Sequence, residues 1–123
     1  MNEHKLYMFL KENYFKDLCT KEDQFSKYDC YSDKYKIVME LKCRKTHYND
    51  LMLEKIKYDA LMKHERPFYV NSTPEGIFFF NVKNINPKWA IDKMPKQTEF
   101  ENTEKIDKTY CLINIKDAFL CIK

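Results

Sequence analysis

The chain is nearly free of glycine: Gly76 is the only one in 123 residues. That excludes the glycine-rich phosphate loops of nucleotide-binding proteins, whose tight turns and close backbone approach need several glycines. Cysteine is present, but not in a spacing that builds sites. The five cysteines (Cys19, Cys30, Cys43, Cys111, Cys121) are an odd number without a paired C-x-x-C. This argues against a disulfide framework and against a cysteine-rich zinc centre, and favours reduced thiols in a cytosol. His4, His47 and His64 share no metal-ligand spacing either. Long apolar runs are missing, so no window reaches membrane-spanning length. The N-terminus carries Glu3, Lys5, Lys11 and Glu12 where a signal peptide would have an apolar core. A soluble, cytoplasmic protein with no membrane partner is expected.

Arginine is also scarce, with Arg44 and Arg66 alone, while Lys, Asn, Ile, Tyr and Phe are plentiful. Such usage follows AT-rich coding, as in a low-GC bacterium, a phage or another virus; for a virus the compartment would be the host cytoplasm. Hydrophobic residues make up 44% and aromatic residues 15% of the chain, enough for a packed core. Length supports a single domain over residues 1–123. Charged residues are 33% with a formal net charge of +3, a weak lean toward polyanions.

Apolar periodicity close to 3.6 predicts a helix over residues 3–18. Phe25–Tyr31 and Lys34–Cys43 are expected to form a hairpin turning at Ser32-Asp33. A second helix is predicted from Thr46, as N-cap, to about Lys63. Phe68–Ser72 and Gly76–Val82 read as strands, the second (Ile77-Phe78-Phe79-Phe80) buried on both faces. Residues 84–96 are expected to be irregular, 109–115 a last strand, and 117–122 a short element of undetermined type.

The hairpin carries the chemistry. On its second strand Val38, Glu40, Lys42 and Arg44 share one face, because side chains alternate with period two. Ile37, Met39, Leu41 and Cys43 share the other, apolar face. Glu-x-Lys alone means little, since chance supplies about one or two such triplets in a chain this rich in both residues. Glu3-His4-Lys5 is another. Context raises the weight of Glu40-x-Lys42: an apolar reverse face, Asp29 on the preceding strand, and a helix after it. Asp29 and Glu40 offer the hard oxygen ligands that suit Mg²⁺ or Mn²⁺, with the Leu41 carbonyl as a third.

This pattern resembles the PD-(D/E)XK nuclease superfamily over about residues 3–82, most sharply over 28–61. The resemblance implies a single-domain α/β, restriction-endonuclease-like fold with a central mixed β-sheet flanked by helices; residues 84–123, outside the resemblance, are expected to add an accessory strand and loops. It implies Mg²⁺- or Mn²⁺-dependent hydrolysis of phosphodiester bonds, DNA favoured over RNA, and often a homodimer. Asp29, Glu40 and the Leu41 carbonyl would hold the metal, and Lys42 would be catalytic. Lys57, in the helix after the motif and one turn beyond Glu54, would be the further motif lysine. Arg44 and Lys45 would hold phosphates. Small size and early motif position also resemble Holliday-junction resolvases and phage junction endonucleases, which add a glutamate from the first helix; Glu3 or Glu12 could fill that place. The chain departs from the superfamily in lacking a proline before Asp29 and a visible third meander strand.

Other readings of the same residues stand beside this one. Asp29 and Glu40 could be exposed on an edge hairpin, with Lys42 as cross-strand ion pair. Glu54 and Lys57 could be a solvated helix face. Asp33 suits turn chemistry better than ligation. Tyr28, Tyr31, Tyr35 and Trp89 could stack on bases but suit core or surface packing better. The alternative function is a catalytically inactive nuclease-fold module that binds nucleic acid or a protein, such as a viral counter-defence factor.

Overall fold

Local sequence sets both ends of the first helix, α1 (Glu3–Asn13). The Asn2 side chain accepts a hydrogen bond from Lys5 N at 2.8 Å, satisfying one of the free N-terminal amides. Glu3 in the first turn and Lys11 in the last complement the helix dipole. The helix stops short of the predicted Leu18. Tyr7 Oη and Lys11 Nζ both donate to the Leu18 carbonyl, at 2.8 and 2.6 Å, folding the following chain back onto the helix. Leu18 is thereby fully buried beside Leu6 and Leu10.

A computed structural model describes residues 1–20, 28–95 and 104–123. The remaining elements are β1 (Cys19–Thr20), β2 (Cys30–Ser32), β3 (Ile37–Cys43), β4 (Asp50–Glu54), α2 (Lys55–Leu61), β5 (Arg66–Thr73), β6 (Gly76–Asn81), β7 (Ala90–Pro95), β8 (Lys105–Asn114) and β9 (Leu120–Ile122). Six strands form a mixed sheet in the order β1-β2-β3-β5-β6-β9. Among the described residues only β3 and β5 run parallel, with Glu40 opposite Tyr69 and Lys42 opposite Asn71. A second, antiparallel sheet has the order β4-β8-β7.

Period-two alternation in β3 splits the core in two. Ile37, Met39 and Leu41 pack with Val70 and Phe79 against Leu6 and Leu10 of α1. Val38 faces the other way, with Tyr69, Phe78 and Phe80, against Leu61 of α2 and Leu51, Leu53, Cys111 and Ile113 of the second sheet. Each such large side chain contributes about 1.5–3 kcal/mol on burial. Ile77 through Phe80 are buried on both faces, as the continuous apolar run predicts.

Several expectations are corrected. The predicted helix from Thr46 to Lys63 is a strand, β4, followed by the two-turn helix α2. Leu51 and Leu53 are each 2% exposed while Met52 between them is half-buried, a strand's alternation. Thr46 caps no helix; Glu54 occupies the N-cap position and makes no side-chain cap bond. The described residues of 84–123 hold three strands, where one with loops is expected: β7 occupies part of the segment expected to be irregular, β8 spans Lys105–Asn114, and β9 extends the main sheet. The short β1 supplies a strand before β2, where none was visible in the sequence. Of the predicted strand Phe25–Tyr31, residues 25–27 lie outside the described residues.

Candidate active site

The hairpin of β2 and β3 turns through residues 33–36, with Lys36 in the left-handed region at φ 55°. Asp17, which the sequence did not single out, fastens this turn. Its carboxylate accepts from Ser32 Oγ at 2.8 Å and from Lys34 N at 3.0 Å. Those two bonds hold the Asp17 carboxyl below the usual carboxylate range. Asp33 is exposed in the turn itself.

Just before β2, Asp29 is clamped to the next strand at two points. Its amide donates to the Met39 carbonyl at 2.8 Å, and its Oδ2 accepts from Leu41 N at 2.7 Å. The bonded residues flank Glu40, so the Asp29 carboxylate is held beside the Glu40 side chain. Glu40 is 8% exposed. Burial, and next the Asp29 charge, push its carboxyl up to about 8; Lys57 opposes this, and Glu3 adds to it. Lys57 Nζ lies 3.5 Å from Glu40 Oε1, whereas Glu40 Oε2 is buried without a hydrogen-bond partner. The ion pair with Glu40 is thus made by Lys57 of α2, across the second core, and not by Lys42. Cys30, between the two acids in the hairpin, has its thiol pushed up to about 12 by burial and then by Asp29 and Glu40. It is a buried packing residue.

The remaining candidates divide by position. Lys42 is half-buried on the Glu40 face of β3. The Leu41 side chain is in the first core, and its backbone adjoins both acids. The Glu3 charge reaches Glu40 and Cys43 from the N-terminal turn of α1. Glu12 is exposed nine residues further along that helix, about 13 Å away at 1.5 Å per residue. Glu54 is drawn elsewhere, pairing with Lys108 of β8 at 3.0 Å. Arg44 follows the strand and lines a groove of about 470 Å³ with Tyr48, Asp50 and Met52. Lys45 is exposed. At the other end of β3, Tyr28, Tyr31, Val38 and His64 line a second groove of about 400 Å³. Glu40 lies between the two grooves along the strand. Among the described residues, no three His, Cys, Asp or Glu side chains converge on one point. A cation here would therefore rest on two carboxylates, with backbone or water oxygens completing its shell.

Sequence reasoning passed over Tyr69 and Asn71 of β5. Both are buried on the Glu40 face, and Asn71 Nδ2 donates to Tyr69 Oη at 2.9 Å. The signal was available: Asn71 is an amide inside an otherwise strand-forming run.

A mixed central sheet with helices on its two faces is a single-domain α/β architecture, consistent with a restriction-endonuclease-like fold. Over 98% of its length the chain is similar in structure to a Holliday junction resolvase of the archaeal hyperthermophile Archaeoglobus fulgidus, covering 87% of that chain with a TM-score of 0.57 and 17% sequence identity. At that identity the likeness is one of fold. No family model and no curated protein sequence matches the chain.

Proposed function

We propose that this protein is a divalent-metal-dependent nuclease that hydrolyses DNA phosphodiester bonds, with branched or junction DNA as its substrate. The observation that carries the proposal is the buried, unpartnered Glu40 Oε2 beside a backbone-clamped Asp29. Burial first, and then the neighbouring Asp29 charge, disfavour a charged Glu40 and raise its pKa. A divalent cation reverses that logic by favouring both charges. The donor set is hard oxygen, which fits Mg²⁺ or Mn²⁺. Asp29, Glu40 and the Leu41 carbonyl would hold the ion, which when bound supplies charge neutralisation at the phosphate and acidifies a coordinated water.

The chain's own residues do the rest. Asp29 is held in place by the Leu41 amide, which donates to its Oδ2. Lys57 holds one oxygen of Glu40 and leaves the other free. Lys42, on the same face, places a fixed positive charge where negative charge grows on the phosphorus oxygens. Arg44 and Lys45 extend the positive track past the strand end and bind backbone phosphates. Support for a branched substrate comes from the fold shared with the archaeal resolvase. A homodimer belongs to the same proposal, and sedimentation equilibrium reads it directly.

The test incubates the protein with Mg²⁺ or Mn²⁺ and a panel of linear, nicked, flapped and four-way DNA plus single-stranded RNA. Cleavage is expected on branched DNA, with Lys42→Ala reducing the rate more than about 10²-fold and leaving the circular dichroism spectrum unchanged. An alanine variant that cuts as fast as the unaltered chain would remove Lys42 from the site. Absence of cleavage, with no Mn²⁺ binding by calorimetry, would replace the nuclease by the inactive binding module.

A further inference from the structure

Asn71 is completely buried, and its two amide ends have different fates. Tyr69 Oη donates its only proton to the Met52 carbonyl at 2.7 Å, so toward Asn71 it can only accept. Asn71 Nδ2 fills that role at 2.9 Å. This relay, from the β4 backbone through Tyr69, fixes which way the amide faces. Its oxygen, Oδ1, is left buried with no hydrogen-bond partner. A buried acceptor without a donor loses its hydration and gains nothing in return, so its retention asks for a partner that arrives in the working state.

Register names the partner. Lys42 is directly opposite Asn71 on the parallel β3–β5 pair, so both side chains rise from the same sheet face at neighbouring positions. The other ammonium on this face, Lys57, is engaged with Glu40 Oε1. Arg44 lies past the strand end, beyond Cys43 and its partner Ser72. We infer that Asn71 is a positioning residue: its amide oxygen, oriented by the Tyr69–Met52 relay, accepts a hydrogen bond from Lys42 and holds that ammonium over the scissile phosphate. The inference rests on the nuclease reading for its consequence, but the contact itself does not.

Two measurements keep these apart. The first uses ¹⁵N-lysine-labelled, metal-free protein, with and without four-way junction DNA, and reads the order of the Lys42 ammonium by NMR. An ordered, hydrogen-bonded ammonium is expected in the junction complex, becoming mobile in Asn71→Ala and unchanged in Lys93→Ala, a substitution in an exposed ion pair of the second sheet. An ammonium equally mobile with and without Asn71, or one released by Lys93→Ala instead, overturns the inference whatever the enzyme does. The second is steady-state cleavage. Asn71→Ala is expected to lower kcat about 10- to 100-fold with KM within about twofold, as for a slightly misplaced reacting group. Asn71→Asp, which keeps an oxygen in place, recovers part of the loss. Equal changes in kcat and KM, or no rescue by aspartate, would assign Asn71 to packing alone. Should the Asn71 variants fail to fold, Tyr69→Phe cuts the relay at nearly constant volume and must reproduce the fall in kcat.

Discussion

The Glu40 carboxyl titrates at about 8 in the folded chain against an ordinary value of 4.5. Between those values the folded state keeps a proton that the unfolded chain has released. Stability contributed by this group is therefore full at low pH, falls as pH rises through the window, and is flat above it. Metal-free protein is expected to lose on the order of a few kcal/mol between about pH 5 and pH 8, read as a falling urea midpoint. Glu40→Gln should flatten that profile and be the more stable protein at the upper end. Adding Mn²⁺ should raise the midpoint of the unaltered chain at high pH and leave the glutamine variant unmoved. An equally steep profile in Glu40→Gln would place the titration elsewhere. The same residue shows how much of the site was legible in the sequence. Asp29, Glu40 and Lys42 could be placed on one hairpin as candidates because their positions are set locally. The Lys57–Glu40 pair required knowing that α2 crosses the sheet face, and Asn71 required the β3–β5 register.

At the scale of elements, strands paired locally were the readable ones. Residues 50–54 were expected to be helical because Leu51, Met52 and Leu53 are helix formers or core residues by themselves. What makes them a strand is β8, which puts Ile113 opposite Leu51 and Cys111 opposite Leu53 across sixty residues of chain. Propensity has no access to such a partner. Alternation can be tested by mutation: Leu53→Ala is expected to cost about 2–4 kcal/mol, and Met52→Ala, half-buried on the other face, under about 1 kcal/mol. Comparable losses at both would contradict the strand. The lone glycine is a second element-level case. Gly76 closes the β5–β6 turn at φ +151°, and a Cβ there would meet the Ile122 carbonyl at 3.0 Å and Cys121 Sγ at 3.1 Å. Gly76→Ala should cost about 1–3 kcal/mol, with loss of amide protection concentrated in β6 and β9. Protection that falls evenly through the chain would separate the glycine from the β9 edge.

Over the whole molecule charge is nearly balanced, and the net value of +3 gives no strong field to draw DNA from a distance. On the proposed function, affinity for DNA would come from a few cations placed along the candidate site. Lys57 pairs with Glu40 and Lys42 rises from the same sheet face, while Arg44 and Lys45 follow the end of β3, Arg44 lining a groove with Tyr48 and Met52. Each phosphate neutralised by such a side chain releases about one counterion, so the count of contacts is written in the salt dependence. Binding of four-way DNA without divalent metal is expected to show a shallow slope of log K against log salt, corresponding to about two to four phosphates. Arg44→Ala and Lys45→Ala should each reduce the slope by about one, alike on every DNA sequence, because a phosphate contact carries no base information. Lys93, which pairs with Asp107 on the exposed second sheet, supplies the control: its alanine variant should leave the slope untouched. If Lys93→Ala lowers the slope and Arg44→Ala does not, DNA lies across β7 and β8, and the acids of the hairpin are not its cutting edge.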